Sequence, residues 1–152
     1  MVSEKYLRFD FSHFEKLTNE QISNIQNFVN KKIDDQLPLE ENRNANYDEC
    51  INNGVIALFG EKYGDVVRSI KFGSSNELCG GTHVLNTGQI KNFIIKSESA
   101  ISSGIRRIEA ISGNVAQDYV DNKLKTLEKL SSMLNNDTVS YTHLTLPTTE
   151  RV

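Results

Sequence analysis

The sequence predicts one α+β domain, in which helices pack on one face of a largely antiparallel sheet and a C-terminal amphipathic helix follows. Apolar residues alternate with period two in several short segments and recur at helical spacing in two longer ones. The order of these segments is mixed, whereas a doubly wound fold alternates strands and helices strictly. A chain of 152 residues can bury one ordinary core and leaves no room for a second full domain.

The N-terminal segments are predicted to form a strand and a capped helix. Residues 7–11 alternate apolar and polar side chains, which is typical of a strand with one buried face. Thr18 is followed three residues later by Gln21, the spacing of a capping box at a helix start. Apolar side chains then recur at helical spacing, so a helix from about 18 to 33 is expected to pack on the sheet.

The middle of the chain is predicted to supply an edge strand, a short helix and the other strands. Pro38 lacks an amide hydrogen and disfavours helical dihedrals in the residue before it, so 37–42 is expected to be an extended edge strand. A short helix is expected around 48–58, before a tight connection that contains two glycines. Further strands are predicted at 66–72, 90–96 and 105–111.

The C-terminal third is predicted to begin a long amphipathic helix. From Val115 onward, apolar residues fall at steps of three, four and seven, which also fits a coiled-coil seam. Two interpretations stay open: a connecting helix, or a terminal helix packed on this domain's own sheet. We interpret 1–113 as the domain core and 114–137 as the start of a connecting helix. The apolar positions are Val120, Leu124, Leu127 and Leu134.

The final segment, 138–152, is expected not to be native. Residues 139–149 match one frame of a common transposase-based sequencing adapter, so the segment is excluded from fold and function, and the natural chain is expected to continue beyond Asp137. The alternative is a genuine threonine-rich, disordered terminus. In either case His143 is not expected to be a site residue.

Charge and cysteine content narrow the class of protein. A formal net charge of −3 argues against binding nucleic acid through bulk positive charge, although a local basic patch is compatible with it. Cys50 and Cys79 lie in unrelated contexts, which predicts free thiols and a reducing, cytoplasmic compartment. Cys50 is expected to be a small buried hydrophobe. No apolar run approaches the roughly 20 residues that span a bilayer, and no signal peptide is recognisable.

The segment 79–83 carries the densest chemistry. A thiolate at Cys79 and an imidazole at His83 can both reach one zinc ion at ~2.0–2.3 Å, although two ligands alone do not hold zinc tightly. Gly80 and Gly81 lack Cβ atoms, so they permit a sharp turn and a close approach of substrate to the backbone. Thr82 is a candidate lining or catalytic residue, unless its hydroxyl satisfies the turn itself. From spacing alone, a buried free cysteine beside an ordinary loop histidine stays open.

Four segments in order carry a resemblance to a known family. Together they resemble the editing domain of bacterial-type alanyl-tRNA synthetase, and the resemblance runs from about residue 2 to about residue 136. It implies hydrolysis of tRNA(Ala) mischarged with serine or glycine, in a parent enzyme that attaches alanine with ATP. The segments are LRFDFSHF at 7–14, ALFGEKYGD at 57–65, ELCGGTHV at 77–84 and GIRRIEA at 104–110.

The resemblance also implies a zinc site of which this chain holds part. In that family, Zn²⁺ is bound by a His-x-x-x-His pair on an upstream helix together with the residues that match Cys79 and His83. The upstream pair is absent here, so the core is expected to be N-terminally truncated. Four bound ligands leave no position for water, which favours an orienting role for the metal over water activation. ATP and Mg²⁺ are expected only in the missing catalytic domain.

Candidate tRNA contacts lie in the last of the four segments. Arg106 and Arg107 are neighbours on a predicted strand, so their side chains face opposite sides and one of them can face RNA phosphate. The alternative is a surface salt bridge for both, for example between Arg107 and Glu109. The resemblance implies the acceptor end of tRNA(Ala) as partner, no membrane, and a homodimer through the C-terminal region of the parent enzyme.

Three other functions stay open beside that of an editing domain within the synthetase. A free-standing deacylase that edits in trans would share the same chemistry. A tRNA-binding or dimer-bridging module without hydrolysis would explain the missing histidine pair, although truncation explains it more simply. A small structural zinc domain would need two further ligands.

Overall fold

The computed structural model describes residues 1–57 and 63–136, and these form a mixed α+β arrangement, as predicted. Residues 1–118 make one compact unit, and the chain from Tyr119 onward makes another. The strands are β1 (Leu7–Ser12), β2 (Glu40–Asn46), β3 (Val66–Phe72), β4 (Ser75–Leu78), β5 (Phe93–Ser102) and β6 (Ile105–Ser112). The helices are α1 (Asn19–Asp34), α2 (Tyr47–Asn52) and α3 (Gly113–Asn136), with a 3₁₀ turn at Thr87–Ile90.

The strands form two antiparallel sheets rather than one. The first has the order β1-β6-β5 and the second the order β2-β3-β4. In the first sheet β1 pairs with β6, and Leu7 lies opposite Ala110. The N-terminal strand therefore pairs with the last strand of the chain's described part. Helix α1 is hydrogen-bonded to this sheet through the Asn30 side chain. This side chain donates to Phe93 O and accepts from Phe93 N, both at 2.9 Å. The apolar core beneath comprises Leu17, Ile108 and Ala110.

Helix α1 begins where its sequence predicts. The Thr18 hydroxyl accepts from the Gln21 amide at 3.1 Å, and the Gln21 side chain accepts from the Thr18 amide at 2.8 Å. These bonds confirm the capping box and satisfy two amides that have no partner within the helix. The predicted strand at 66–72 is β3, residue for residue.

The second sheet encloses its own small core. Cys50 is buried with Ala45, Val55, Val67 and Leu78, as expected of a thiol that behaves as a small hydrophobe. Strand β2 is an edge strand as predicted, but it begins at Glu40 rather than at residue 37.

Several predicted boundaries in this half of the chain shift. The helix expected at 48–58 ends at Asn52, and the strand expected from 90 begins at Phe93, because Thr87–Ile90 forms the 3₁₀ turn. Strand β4 is not among the predicted strands. It has four residues, and a turn with Gly73 at φ +58° joins it to β3.

Helix α3 runs from Gly113 to Asn136. Ala116 is fully buried in the first unit, whereas the described side chains from residue 121 to 134 are all exposed, including the predicted apolar positions there. The predicted segment 138–152 lies outside the described residues, and the division of the chain at 113 stays a prediction. No helix in the described part is both long and apolar enough to cross a bilayer.

Candidate metal and substrate site

The site lies at the end of β4, where the strand is held from both sides. Cys79 continues the ladder, since its amide donates to Arg68 O at 3.1 Å. On the other side Ile56 donates to Asn76 O at 3.0 Å and accepts from the Leu78 amide at 2.8 Å. The Leu78 side chain is 1% exposed and anchors this strand in the core. The position of Cys79 is therefore fixed by the sheet rather than by the loop that follows.

The loop 80–82 returns the chain so that His83 faces Cys79. One ligand atom from each of Glu77, Cys79 and His83 lies within 4.8 Å of the other two. The structure thus brings together the two residues predicted as metal ligands, and it adds a carboxylate that sequence reasoning missed. The signal for Glu77 was available, because residues two apart in an extended strand share a face.

Arg68 holds the backbone of this loop. Its Nη1 donates to the carbonyl oxygen of Cys79 at 3.2 Å and also to that of Gly81. Its Nε donates to a carboxylate oxygen of Glu41 at 2.6 Å, and Arg43 donates to the same oxygen at 2.7 Å. Arg43 and then Arg68, through these hydrogen bonds, hold the pKa of the Glu41 carboxyl below its usual value. The three side chains form a charged network that fixes the segment between the predicted ligands.

An open cavity of about 540 Å³ adjoins the loop. Gly80, Gly81 and Thr82 are exposed along it, so the predicted approach path to the backbone is open. Neither glycine adopts a positive φ angle, and a Cβ at Gly81 would lie 3.6 Å from Cys79 Sγ while one at Gly80 would meet nothing within 4 Å. The cavity is lined by Leu39, Glu41, Arg43, Arg68, Gly80, Gly81, Thr82, His83 and Leu85.

The donor atoms fit a zinc ion. Thiolate, imidazole and carboxylate are the three side-chain types that bind Zn²⁺ in proteins. Nδ1 of His83 is buried and has no hydrogen-bond partner in the described part of the chain, which is costly for a polar atom. The ring of His83 packs against Phe72 at a centroid distance of 6.5 Å. A metal or a bound substrate is the kind of partner that this nitrogen lacks.

The two candidate RNA-contacting arginines lie elsewhere, on β6 of the first sheet, and neither lines the cavity. Arg106 is buried and paired with Glu98, where the shorter of two contacts joins Nε to Oε1. Arg107 donates to both oxygens of Asp10 at 2.6 and 2.8 Å. Glu109, named as an example partner for Arg107, accepts from Arg8 instead at 2.8 Å. Their contact with RNA stays a prediction.

Comparison with known proteins identifies the family. A family profile described as "Threonyl and Alanyl tRNA synthetase second additional domain" matches residues 67–109, which contain β3 from its second residue and the whole Cys79–His83 segment. The alanine–tRNA ligase of Christiangramia forsetii is 57% identical over 136 residues, which cover 90% of this chain and 16% of the relative. That of Flavobacterium psychrophilum is 50% identical over 134 residues, covering 88% and 15%. That of Thermotoga sp. is 47% identical over 135 residues, covering 88% and 16%.

The alignments cover most of this chain but only a small part of each relative. The chain spans about 16% of the length of the first of these relatives, whereas 90% of this chain is matched. The matched region of the profile contains Arg68 and the Glu77–His83 segment, whereas Leu39, Glu41 and Arg43 of the cavity lie outside it. The chain therefore belongs to the alanyl-tRNA synthetase family and carries its second additional domain.

Proposed function

We propose that this chain carries a post-transfer editing site, which hydrolyses the ester that joins serine or glycine to the terminal adenosine of tRNA(Ala). The parent enzyme of this proposal attaches alanine to tRNA(Ala) with ATP in the cytoplasm. The observation that supports it is the convergence of Cys79 and His83 beside an open cavity, within the segment that matches the family.

The cavity is suited to the end of an aminoacylated tRNA. Its volume of about 540 Å³ falls in the range of roughly 300–1,000 Å³ that is usual for small-molecule and cofactor sites. Arg43 is 74% exposed at its side chain and supplies a cation at the cavity for a phosphate of the acceptor end. The absence of a side chain at Gly81 keeps open the space next to the Cys79 thiol.

Hydrolysis of the ester requires a positioned water and stabilisation of the tetrahedral oxygen. The amides of Gly80 and Gly81 donate to no atom in the described part of the chain, so both are available to a substrate oxygen. Cys79 and His83 would hold the zinc ion, which supplies a fixed positive charge for orienting the substrate amino group. Arg68 bonds the carbonyl oxygens of Cys79 and Gly81 and so holds the backbone of the loop in place.

Discrimination against alanine follows from hydrogen bonding. A polar group in the pocket can bond the hydroxyl of serine, whereas the methyl group of alanine would leave that group unpaired. Thr82 is exposed at the cavity and is the candidate for this contact. Correctly charged Ala-tRNA(Ala) would then be spared.

The test uses preformed Ser-, Gly- and Ala-tRNA(Ala) with the 152-residue chain and stoichiometric Zn²⁺. We expect faster deacylation of the serine and glycine esters than of the alanine ester, and loss of this difference in Cys79→Ala and His83→Ala. In an intact ligase that contains this segment, the same changes should leave alanine activation nearly unchanged while Ser-tRNA(Ala) accumulates. Equal loss of both activities would show that the pair supports the fold.

A second function shares the tRNA partner but not the chemistry. A non-catalytic tRNA-binding module would bind acylated and deacylated tRNA(Ala) with equal affinity and would leave the esters at their spontaneous rate of hydrolysis. A free-standing deacylase would act without the ligase, so a chain that edits fully in trans favours that alternative. The homodimer expected for the parent enzyme stays a prediction.

A further inference from the structure

Two leucines form one wall of the cavity beside the loop 80–82. Leu39 is half-buried and Leu85 is 70% exposed, so an apolar surface faces the space that a ligand would fill. We propose that these two side chains, the apolar shelf, hold the purine base of the terminal adenosine of the substrate. The proposal deepens the editing function, because it rests on the aminoacylated end of tRNA entering this cavity.

The pairing of two chain segments sets the leucines side by side. Pro38 and Asn86 form an antiparallel bridge, and next to it the Leu39 amide donates to Leu85 O at 2.9 Å. Leu39 and Leu85 are therefore directly opposite each other. The side chains of such a pair project from the same face, with Cβ atoms about 5 Å apart. Both leucines line the same cavity, in agreement with this geometry.

Thr87 makes the apolar shelf rigid. Its side chain is buried, and its hydroxyl donates to Lys32 O at 2.7 Å and accepts from the Leu37 amide at 2.8 Å. The Thr87 amide also donates to Leu37 O at 3.0 Å. Lys32 belongs to the last turn of α1, so the segment that carries Leu85 is tied to that helix. A surface held in advance by such contacts loses little conformational entropy when a ligand binds.

The cavity wall changes in character along one row of side chains. Leu39, Glu41 and Arg43 follow one another at steps of two residues, and all three line the cavity, as the alternation of an extended segment predicts. The row therefore runs from an apolar end to a guanidinium whose side chain is 74% exposed. A nucleotide has the matching order of base, ribose and phosphate. Its phosphate suits the cation and its base suits the leucines.

The base is the part of the substrate that fits two leucines. Serine has a hydroxyl and glycine has no side chain, so neither amino acid gains from an apolar surface, and a hydroxyl placed against it would lose its bonds to water. A purine base has two wide faces without polar groups, and covering one of them removes apolar area from water. Leucine side chains have no donor or acceptor, so this contact senses the presence of a base rather than its identity.

The experiment measures the affinity of the full 152-residue chain, with stoichiometric Zn²⁺, for two non-hydrolysable substrate analogues. One is adenosine 5′-phosphate with serine joined by an amide at its 3′ position, and the other is the same compound without the base. For the wild-type chain we expect roughly tenfold weaker binding of the baseless analogue. In Leu85→Ala the adenosine analogue should bind roughly tenfold more weakly than to wild type, whereas the baseless analogue should stay within about twofold.

Two further variants serve as controls. Leu127→Ala is the matched one, because Leu127 is 61% exposed on α3 and is not among the residues that line the cavity. It should bind both analogues within about twofold of wild type. Leu85→Met keeps an apolar side chain of similar volume and should retain most of the affinity for the adenosine analogue.

A measurement on the wild-type chain needs no substitution. When the adenosine analogue is bound, nuclear Overhauser effects should join the adenine protons to the methyl groups of Leu85 and not to those of Leu127. Saturated binding without a contact between adenine and Leu85 overturns the proposal even if Leu85→Ala fails to fold.

The outcomes separate the apolar shelf from the proposed function. Equal binding of the two analogues by the wild-type chain overturns the shelf and leaves the editing proposal standing where the serine ester is hydrolysed faster than the alanine ester. Equal weakening of both analogues by Leu85→Ala also overturns the shelf, because it marks a structural loss, and so does failure of the wild-type chain to bind the adenosine analogue. The editing proposal fails separately, when the analogues bind as expected but the serine ester is not hydrolysed faster than the alanine ester.

Discussion

Arg68 is the residue whose replacement should most directly loosen the site without altering a proposed ligand. In Arg68→Lys the positive charge remains, but the planar fork that bonds two loop carbonyls and Glu41 at once is lost. A hydrogen bond from a charged donor contributes about 1.5 kcal/mol, and the Arg68 side chain is 24% exposed, so solvent replaces it only in part. We take one carbonyl bond as lost. About 1.5 kcal/mol corresponds to roughly a tenfold fall in the equilibrium constant for ordering the loop.

The assay pairs Zn²⁺ affinity with kcat/KM for deacylation of Ser-tRNA(Ala). Both should fall, by up to about tenfold, in Arg68→Lys, because an ordered loop is needed for metal and substrate alike. Arg43→Lys is the matched control, since Arg43 also bonds Glu41 but donates to neither loop carbonyl. Its metal affinity should stay within threefold of wild type. Equal values for the two variants would refute the assignment of Arg68 as the residue that holds the loop.

Three further substitutions test the fold and the approach to the site. Leu78→Ala removes a side chain that is 1% exposed and should lower the free energy of unfolding by about 3 kcal/mol in urea denaturation; a loss below about 1 kcal/mol contradicts its place in the core. Arg106 holds the pKa of Glu98 below its usual value, so stability from this pair is complete above about pH 4.3 and is lost as pH falls through the lowered pKa. The gap in unfolding free energy between wild type and Glu98→Gln should therefore shrink below that pH, and a constant gap argues against the pair. Gly81→Ala places a methyl group 3.6 Å from the Cys79 thiol and should raise KM for deacylation several-fold with little change in stability; an unchanged KM would contradict this approach path.

Local signals in the sequence predicted the elements that local interactions stabilise. The capping box at Thr18 needs contacts across three residues, and β3 is a continuous segment with strong strand propensity. Strand β4 escaped prediction because its four residues show no usable period and are held by Ile56 and β3. The division into two sheets was likewise out of reach, because Leu7 pairs with Ala110 across most of the chain.

The candidate site likewise contains residues that the sequence alone could predict and residues that it could not. Cys79 and His83 lie four residues apart, so their spacing alone suggests that they could bind the same metal ion. The roles of Arg68 and Glu41 depend on strands that meet only after folding, and a scattered arginine in the sequence carries no sign of the carbonyl that it will bond. Glu77 is an intermediate case, because alternation places it on the side of Cys79 but does not bring His83 back to it.

The ion pairs show which arginines an acidic chain leaves for the proposed RNA contact. Most of the arginines in its sheets bond carboxylates of neighbouring strands, as Arg106 does with Glu98 and Arg107 with Asp10. The Arg106–Glu98 pair is buried and the Arg107–Asp10 pair is partly exposed, and either arginine can bind a phosphate only if its ion pair opens. Arg43 differs, because its side chain is 74% exposed at the cavity while it shares Glu41 with Arg68. In the proposed function, recognition of the acceptor end would depend on the position of this cation beside the loop 80–82 rather than on the net charge of −3.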